Sequence, residues 1–314
     1  MKKTALFVTA IAALSLMAGC AKDGKYNPKE KIAKIYTERS YSNSYYDGTQ
    51  WIVENEESSG KQLSEAWTWD GKKLSQIAYY DDGEAYINVK LTYDGSQLIE
   101  ATDGETRMVY TYDGKKIEKC EVYEGSVLFE TMTFGHDGKK ISSVTYTYTN
   151  AYGKSLDKGV TTLSRLMMRS LVPDSPVADR VIKDVRAHAA KEDNTYTLNF
   201  TWDGGNVTKI TATSGAYSTT MTCTYDDKNN PYQGFALALS GLYGESESGV
   251  EFCNENNILS VTATYSGEGY TESETETYSY EYDGNWPVKQ TREYNWESDE
   301  YRSSNKSITY LEYE

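Results

Sequence analysis

The side chains able to do chemistry are few in type, and their spacing assembles no known reaction centre. Only two histidines occur, His136 and His188. His136 stands at a hairpin turn where similar phrases carry tyrosine, which predicts a solvated turn residue. His188 falls near the end of a predicted helix, where the helix dipole favours a cation. Serine and cysteine nucleophiles therefore lack an evident base. No phosphate loop, zinc-protease helix, nucleophile elbow or dinucleotide fingerprint occurs. Carboxylates are abundant, 47 in all, and a glycoside hydrolase needs only two of them. With so many acids, spacing selects no pair. The acidic turns Asp81-Asp82-Gly83 and Asp226-Asp227-Lys228-Asn229 lack the full ligand ladder of a calcium loop. Cys120, Cys223 and Cys253 allow at most one bridge among themselves; Cys223 and Cys253 are nearer in sequence, and buried thiols are the alternative. The reading is a chain with no catalytic set, no metal site and no cofactor, hence not an enzyme. Aromatic contacts are the remaining binding chemistry. Of the 6 tryptophans, Trp67, Trp69 and Trp202 occupy core-facing positions. Trp286 and Trp296 flank a late hairpin and are the candidate ligand-contact aromatics.

The elements that carry these residues are repeated. Trp67-Thr68-Trp69-Asp70-Gly71 returns as Leu91-Thr92-Tyr93-Asp94-Gly95, Tyr110-Thr111-Tyr112-Asp113-Gly114 and Phe134-Gly135-His136-Asp137-Gly138. It returns again as Phe200-Thr201-Trp202-Asp203-Gly204 and Tyr280-Glu281-Tyr282-Asp283-Gly284. An aromatic–Thr–aromatic run puts both rings on one face of a strand, and Asp-Gly supplies a tight hairpin turn. Asp70, Asp94, Asp113, Asp137, Asp203 and Asp283 are thus read as turn formers. Second turns between the repeats give a turn every ten to twelve residues or so, an up-and-down antiparallel meander. Tyr278, Tyr280 and Tyr282 share one face, and Thr277, Ser279 and Glu281 the other. A strand wet on one side fits a sheet or barrel in water, whereas a lipid-facing strand needs an apolar band. The fold class is mainly β: repeated hairpins in a curved sheet or barrel-like, porin-like soluble fold, with a helical insertion near 160–190.

Composition agrees. There are 29 Tyr against 6 Phe and 5 Pro, and Tyr and Thr suit pleated, half-buried surfaces. The formal charge is −15, which repels phosphate backbones and argues against nucleic acid as a partner. Between Lys154 and Asp193 the strand pattern stops. There Ser175 caps a helix with Pro176 at its first position, and Val177, Val181, Val185 and Ala189 form an apolar stripe. This stretch reads as a helix packed on the sheet or over a barrel mouth, with a mobile docking arm or a linker as alternatives.

Lys2 and Lys3, the apolar run Ala5 to Leu14 and the small residues before Cys20 make an export signal. Ala18-Gly19-Cys20 resembles the bacterial lipoprotein signal, in which the cysteine is acylated; Met17 stands where that pattern usually has Leu. The resemblance implies a lipid anchor at Cys20 and, from Ala21-Lys22-Asp23, exposure on the cell surface. The Tyr-Asp-Gly hairpins are loosely similar to tyrosine-aspartate (Rhs-type) repeats. Together with the signal and Thr224-Tyr225-Asp226-Asp227-Lys228-Asn229-Asn230-Pro231-Tyr232, they more closely resemble exported lipoproteins of Bacteroidetes that carry a porin-like domain of unknown function. The domain reading is signal peptide 1–19, anchor and tether 20–35, hairpins 36–153, helical insertion 154–193 and hairpins 194–314 in the same sheet or barrel. The functional expectation is an outer-membrane, surface-exposed lipoprotein. It would act as a non-catalytic binding or scaffold protein for a glycan or protein. A carboxylate-based glycoside hydrolase and a periplasm-facing partner of an envelope assembly are the alternatives. An exposed aromatic groove would favour the glycan.

Overall fold

The structure, a computed structural model, describes residues 29–149, 194–233, 254–267, 270–297 and 301–314, with helical residues Val177, Arg180, Val181, Asp184, Ala187 and Ala189. The first strands are β1 (Ile32–Tyr46), β2 (Trp51–Ser58), β3 (Gln62–Asp70), β4 (Lys73–Asp81), β5 (Glu84–Asp94) and β6 (Gln97–Thr102). Then come β7 (Thr106–Asp113), β8 (Lys116–Glu124), β9 (Val127–Asp137), β10 (Lys140–Tyr148), β11 (Thr195–Asp203) and β12 (Asn206–Ser214). The last are β13 (Tyr217–Asn229), β14 (Asn256–Gly267), β15 (Tyr270–Asp283), β16 (Trp286–Glu297) and β17 (Tyr301–Tyr313). Each strand from β3 onward pairs antiparallel with the next, and β17 pairs back on β1. The other edge of β1 is shared by β2 and β3, which follow one another along it. Counted around the wall, β2 and β3 act as one interrupted strand, and the sheet closes as a 16-strand barrel. Both runs of hairpins lie in this one barrel, and β1 already begins at Ile32, ahead of Tyr36.

Alternation sorts the side chains. Ile77, Val89, Met108, Val122, Leu198 and Ala263 point inward and are buried. Thr68, Lys90, Thr92, Thr111, Thr222 and Thr277 point outward and are exposed. The outer wall therefore carries hydroxyls and charges where a lipid-facing strand requires an apolar band. Closure also removes the sheet edges that would otherwise invite aggregation.

The Asp-Gly phrase builds one end of the barrel. Asp70 pairs with Lys73 and Asp113 with Lys116, leaving a two-residue loop whose first residue is glycine. Gly71 and Gly114 have φ of 58° and 60°. That is the position at which a type II′ hairpin takes glycine, because an L side chain there is strained. The aspartate itself is the last strand residue. Just beyond each turn the return strand carries one extra residue: Ser75, Ile99, Glu118, Ser142, Thr208, Leu259 and Val288 lie at the register shifts. Such bulges bend and twist the sheet, which closure demands.

A ring of side-chain bonds ties these bulges together. Tyr93 donates its hydroxyl to the Leu74 carbonyl at 2.9 Å, Tyr112 to Leu98 at 2.7 Å and Tyr225 to Val207 at 2.6 Å. Tyr280 reaches Ile258 at 2.8 Å and Tyr313 reaches Pro287 at 2.7 Å. Trp202 and Trp69 do the same through Nε1, to Ile141 and Ile32, both at 2.8 Å. In several hairpins the ring before the Asp thus satisfies a carbonyl of a neighbouring strand; in the last Asp-Gly repeat Tyr280 does so, while Tyr282 bonds Asp226. His136 occupies this place too, with Nε2 2.7 Å from the Ile117 carbonyl. This corrects the solvated-turn expectation: the imidazole substitutes for tyrosine because both carry a polar atom at the tip of a flat ring.

Among the cysteines, Cys120 is a buried free thiol, pushed up in pKa chiefly by burial. Cys223 is also buried; Cys253 lies outside the described residues.

Candidate functional site

The turn end of the barrel is packed with aliphatic and aromatic side chains. The opposite end, where β1 finishes and β3 and β15 begin, is lined differently. Glu65, Glu130, Glu274, Glu276 and Arg292 all occupy inward-facing positions there and are buried. Val177, Val181 and Ala189 of the helical insertion are also buried and belong to the barrel core. Arg180 forms an ion pair with Glu274. The described residues of the insertion therefore pack onto this mouth, in line with the apolar stripe; its other residues, Val185 among them, lie outside the described residues.

Register places the polar residues in rows. Across β1, β17, β16 and β15, one row reads Arg39, Ser307, Arg292, Tyr278. The next row toward the rim reads Tyr41, Asn305, Tyr294, Glu276. Arg292, 2% exposed, donates Nη2–H to Asn305 Oδ1 at 3.0 Å. Tyr278 donates to Glu276 Oε1 at 2.5 Å, and Trp67 donates its indole N–H to Glu65 Oε2 at 2.7 Å. The Tyr294 hydroxyl is pushed up to about 12, first by burial and then by the neighbouring Glu274 carboxylate. Beside Glu57, the Tyr41 hydroxyl is likewise held above its usual range.

A cleft of about 570 Å³ opens where β2 leaves the wall, between the β1–β2 extension and the tip of the β4–β5 hairpin. Its lining includes Arg39, Tyr41, Glu57, Glu65, Tyr79, Tyr80, Tyr86 and Asn305. Its size is within the range of small-ligand pockets, and its lining is mostly polar, with four tyrosines among the polar groups. Above it, β1, β16 and β17 project past the shorter strands. Tyr45 pairs with Tyr301, and Trp296 with Ser303. By strand alternation Tyr45, Tyr301 and Trp296 share the faces of Tyr41, Asn305 and Tyr294. Trp296 is 39% and Tyr301 52% exposed. On the opposite face the Arg302 guanidinium covers Trp51 at 3.9 Å. The mouth thus combines an aromatic rim with a polar cleft.

The two candidate tryptophans are parted. Trp296 is on this rim, whereas Trp286 is at the turn end, half-buried edge-on against Tyr313 at 6.3 Å. Asp226, in the second acidic turn, is engaged by the Lys228 and Asn257 amides and by Tyr282. Cys20 lies outside the described residues. Sequence reasoning missed Arg39, Glu65, Tyr79 and Arg292. A signal existed: Glu274 and Glu276 share the phase of Tyr278 and Tyr280, and Arg292 that of Gln290 and Tyr294. Charges in a core-facing phase mark a wet or functional interior.

With this geometry in place, known proteins can be set beside it. The chain is similar in fold to porin-like proteins of Bacteroides. A crystal structure of a porin-like protein from Bacteroides uniformis is 12% identical, covering 89% of this chain and 98% of that one, with a TM-score of 0.45. One from Bacteroides vulgatus is 10% identical, covering 91% and 99%, with a TM-score of 0.35. No protein-family model matches the chain. No curated protein matches it either.

Proposed function

We propose that this protein is a lipid-anchored, surface-exposed outer-membrane protein that binds a glycan, without catalysis, at the aromatic rim and polar cleft of its mouth. The observation that carries the reading is the placement of Trp296, Tyr301, Tyr45 and Tyr41 on the mouth-facing side above a polar cleft. Sugars present apolar ring faces and hydroxyl edges, so a site for them combines flat aromatic surfaces with fixed donors and acceptors. A water-facing outer wall fits a barrel held at the membrane by the acyl chains of Cys20 rather than by its strands. Two anchoring features on one chain make stable attachment, and acylation of Cys20 supplies them. Binding without catalysis is the reading proposed because the sequence offers no catalytic set beyond abundant carboxylates. A flat apolar patch, which would favour a protein partner, is not what the rim offers.

The test is a glycan array probed with the mature protein. Retention on a set of oligosaccharides is the expected result. Failure to bind any of a broad set of plant, host and microbial glycans would overturn the glycan reading. For the anchor, the Cys20→Ser variant is expected in the soluble rather than the membrane fraction. Wild-type protein should be lost on protease treatment of intact cells; full protection until lysis would place it on the periplasmic face.

A further inference from the structure

We infer that the mouth takes an anionic ligand, a glycan bearing a carboxylate, through the buried guanidinium of Arg292; this rests on the glycan reading and specifies its substrate class. Arg292 is 2% exposed. Its Nη2 donates to Asn305 Oδ1, and its Nε and Nη1 are buried with no hydrogen-bond partner. A guanidinium has five N–H donors and no acceptor, so three of the five are unspent. Buried glutamates Glu274 and Glu276 stand on the same wall, yet no oxygen accepts from Nε or Nη1, and a buried donor without an acceptor is costly.

The cleft lies next to the guanidinium, although Arg292 does not itself line it. Asn305, which holds Arg292, lines the cleft, as do Arg39 and Tyr41. Arg39 and Arg292 flank Ser307 from either side in one row across β1, β17 and β16. Two cations and a hydroxyl therefore converge one row below Tyr41 and Asn305. A planar guanidinium matches a carboxylate in geometry and charge. The same wall holds Glu274 and Glu276, and the whole chain carries −15. That field opposes a dianionic phosphate more than a single carboxylate, which favours a uronate-type sugar over a phosphorylated one.

Isothermal titration of the mature full-length protein tests this with two probes, a uronate-containing oligosaccharide and its carboxyl-reduced neutral counterpart. The acid form is expected to bind at least tenfold more tightly. In Arg292→Met the acid and neutral forms should bind equally well. Arg292→Lys keeps the charge and should retain part of the preference. Thermal melting checks that each variant folds, and the wild-type comparison stands even if neither does. Equal binding of both probes to the wild type would overturn the carboxylate inference and leave the glycan reading intact. Binding of neither, with no other sugar bound on the array, would overturn both. On the array, a phosphorylated sugar retained in preference to a uronate would overturn the carboxylate inference.

Discussion

Tyr93→Phe isolates the ring of side-chain bonds that ties the hairpins together. The substitution keeps the aromatic body, which packs against the core, and removes one oxygen. That oxygen donates to the Leu74 carbonyl at 2.9 Å, and Leu74 is wholly buried beside the bulge between β3 and β4. A buried acceptor left without its donor costs about 1–3 kcal/mol, whereas an ordinary net hydrogen bond contributes about 0.5–1.5 kcal/mol. The site is buried enough to place Tyr93→Phe at about 1–2 kcal/mol. Thr92→Ser, one residue away on the exposed face, should stay within about 0.5 kcal/mol. Urea unfolding followed by circular dichroism reads both, with an unchanged denaturant dependence showing that the unfolded state is not altered. Tyr225→Phe removes the equivalent bond to Val207 on a distant hairpin, so the double variant should show nearly the sum of the two losses. If Tyr93→Phe is as stable as Thr92→Ser, the bulge carbonyl is served by something else and the ring is not a stabilising device.

Two further outcomes concern the turns and the buried phenols. Gly114 sits at φ 60° with open space where a Cβ would stand, so Gly114→Ala should lose about 1–2 kcal/mol through backbone strain alone. Gly60, also in open space but without positive φ, should tolerate alanine; equal urea midpoints for the two variants would refute the turn assignment. The phenols of Tyr93, Tyr294 and Tyr313 are raised above 10.0 by burial, Tyr294 to about 12. The folded state therefore holds these protons more tightly than the unfolded state. The stability they contribute is complete below pH 10 and declines as pH rises from there through 12. Tyrosinate absorbance should show a hidden class that appears only with unfolding; ionisation of every phenol in one transition of the folded protein would contradict the burial.

Much of the architecture is written in short-range signals. Aromatic–Thr–aromatic followed by Asp-Gly marks strand, facing and turn within five residues, so the meander, the inward rings and the wet outer wall are all legible in the sequence. Closure is not, because it depends on β1 offering one edge to β17 and the other to β2 and β3 in succession, pairings far apart in the chain. The bulges were equally hidden: one extra residue such as Ser75 or Glu118 changes register without changing composition. His136 shows the limit of reading type for environment. A polar ring before Asp-Gly looked solvated, but the fold uses that ring to reach a neighbour's carbonyl. The candidate site was legible only in Trp296. Arg39, Glu65, Tyr79 and Arg292 come together from four strands and have no common motif.

The central claim is that ligand binds at the mouth and not at the turn end. Tryptophan fluorescence titration with the best oligosaccharide from the array, using Trp296→Ala and Trp286→Ala side by side, tests it most directly. A central aromatic contact contributes about 2 kcal/mol or more, so Trp296→Ala should weaken binding by roughly thirtyfold while Trp286→Ala leaves it unchanged. Loss of binding in Trp286→Ala with Trp296→Ala unaffected would contradict the account and move the site to the other end of the barrel.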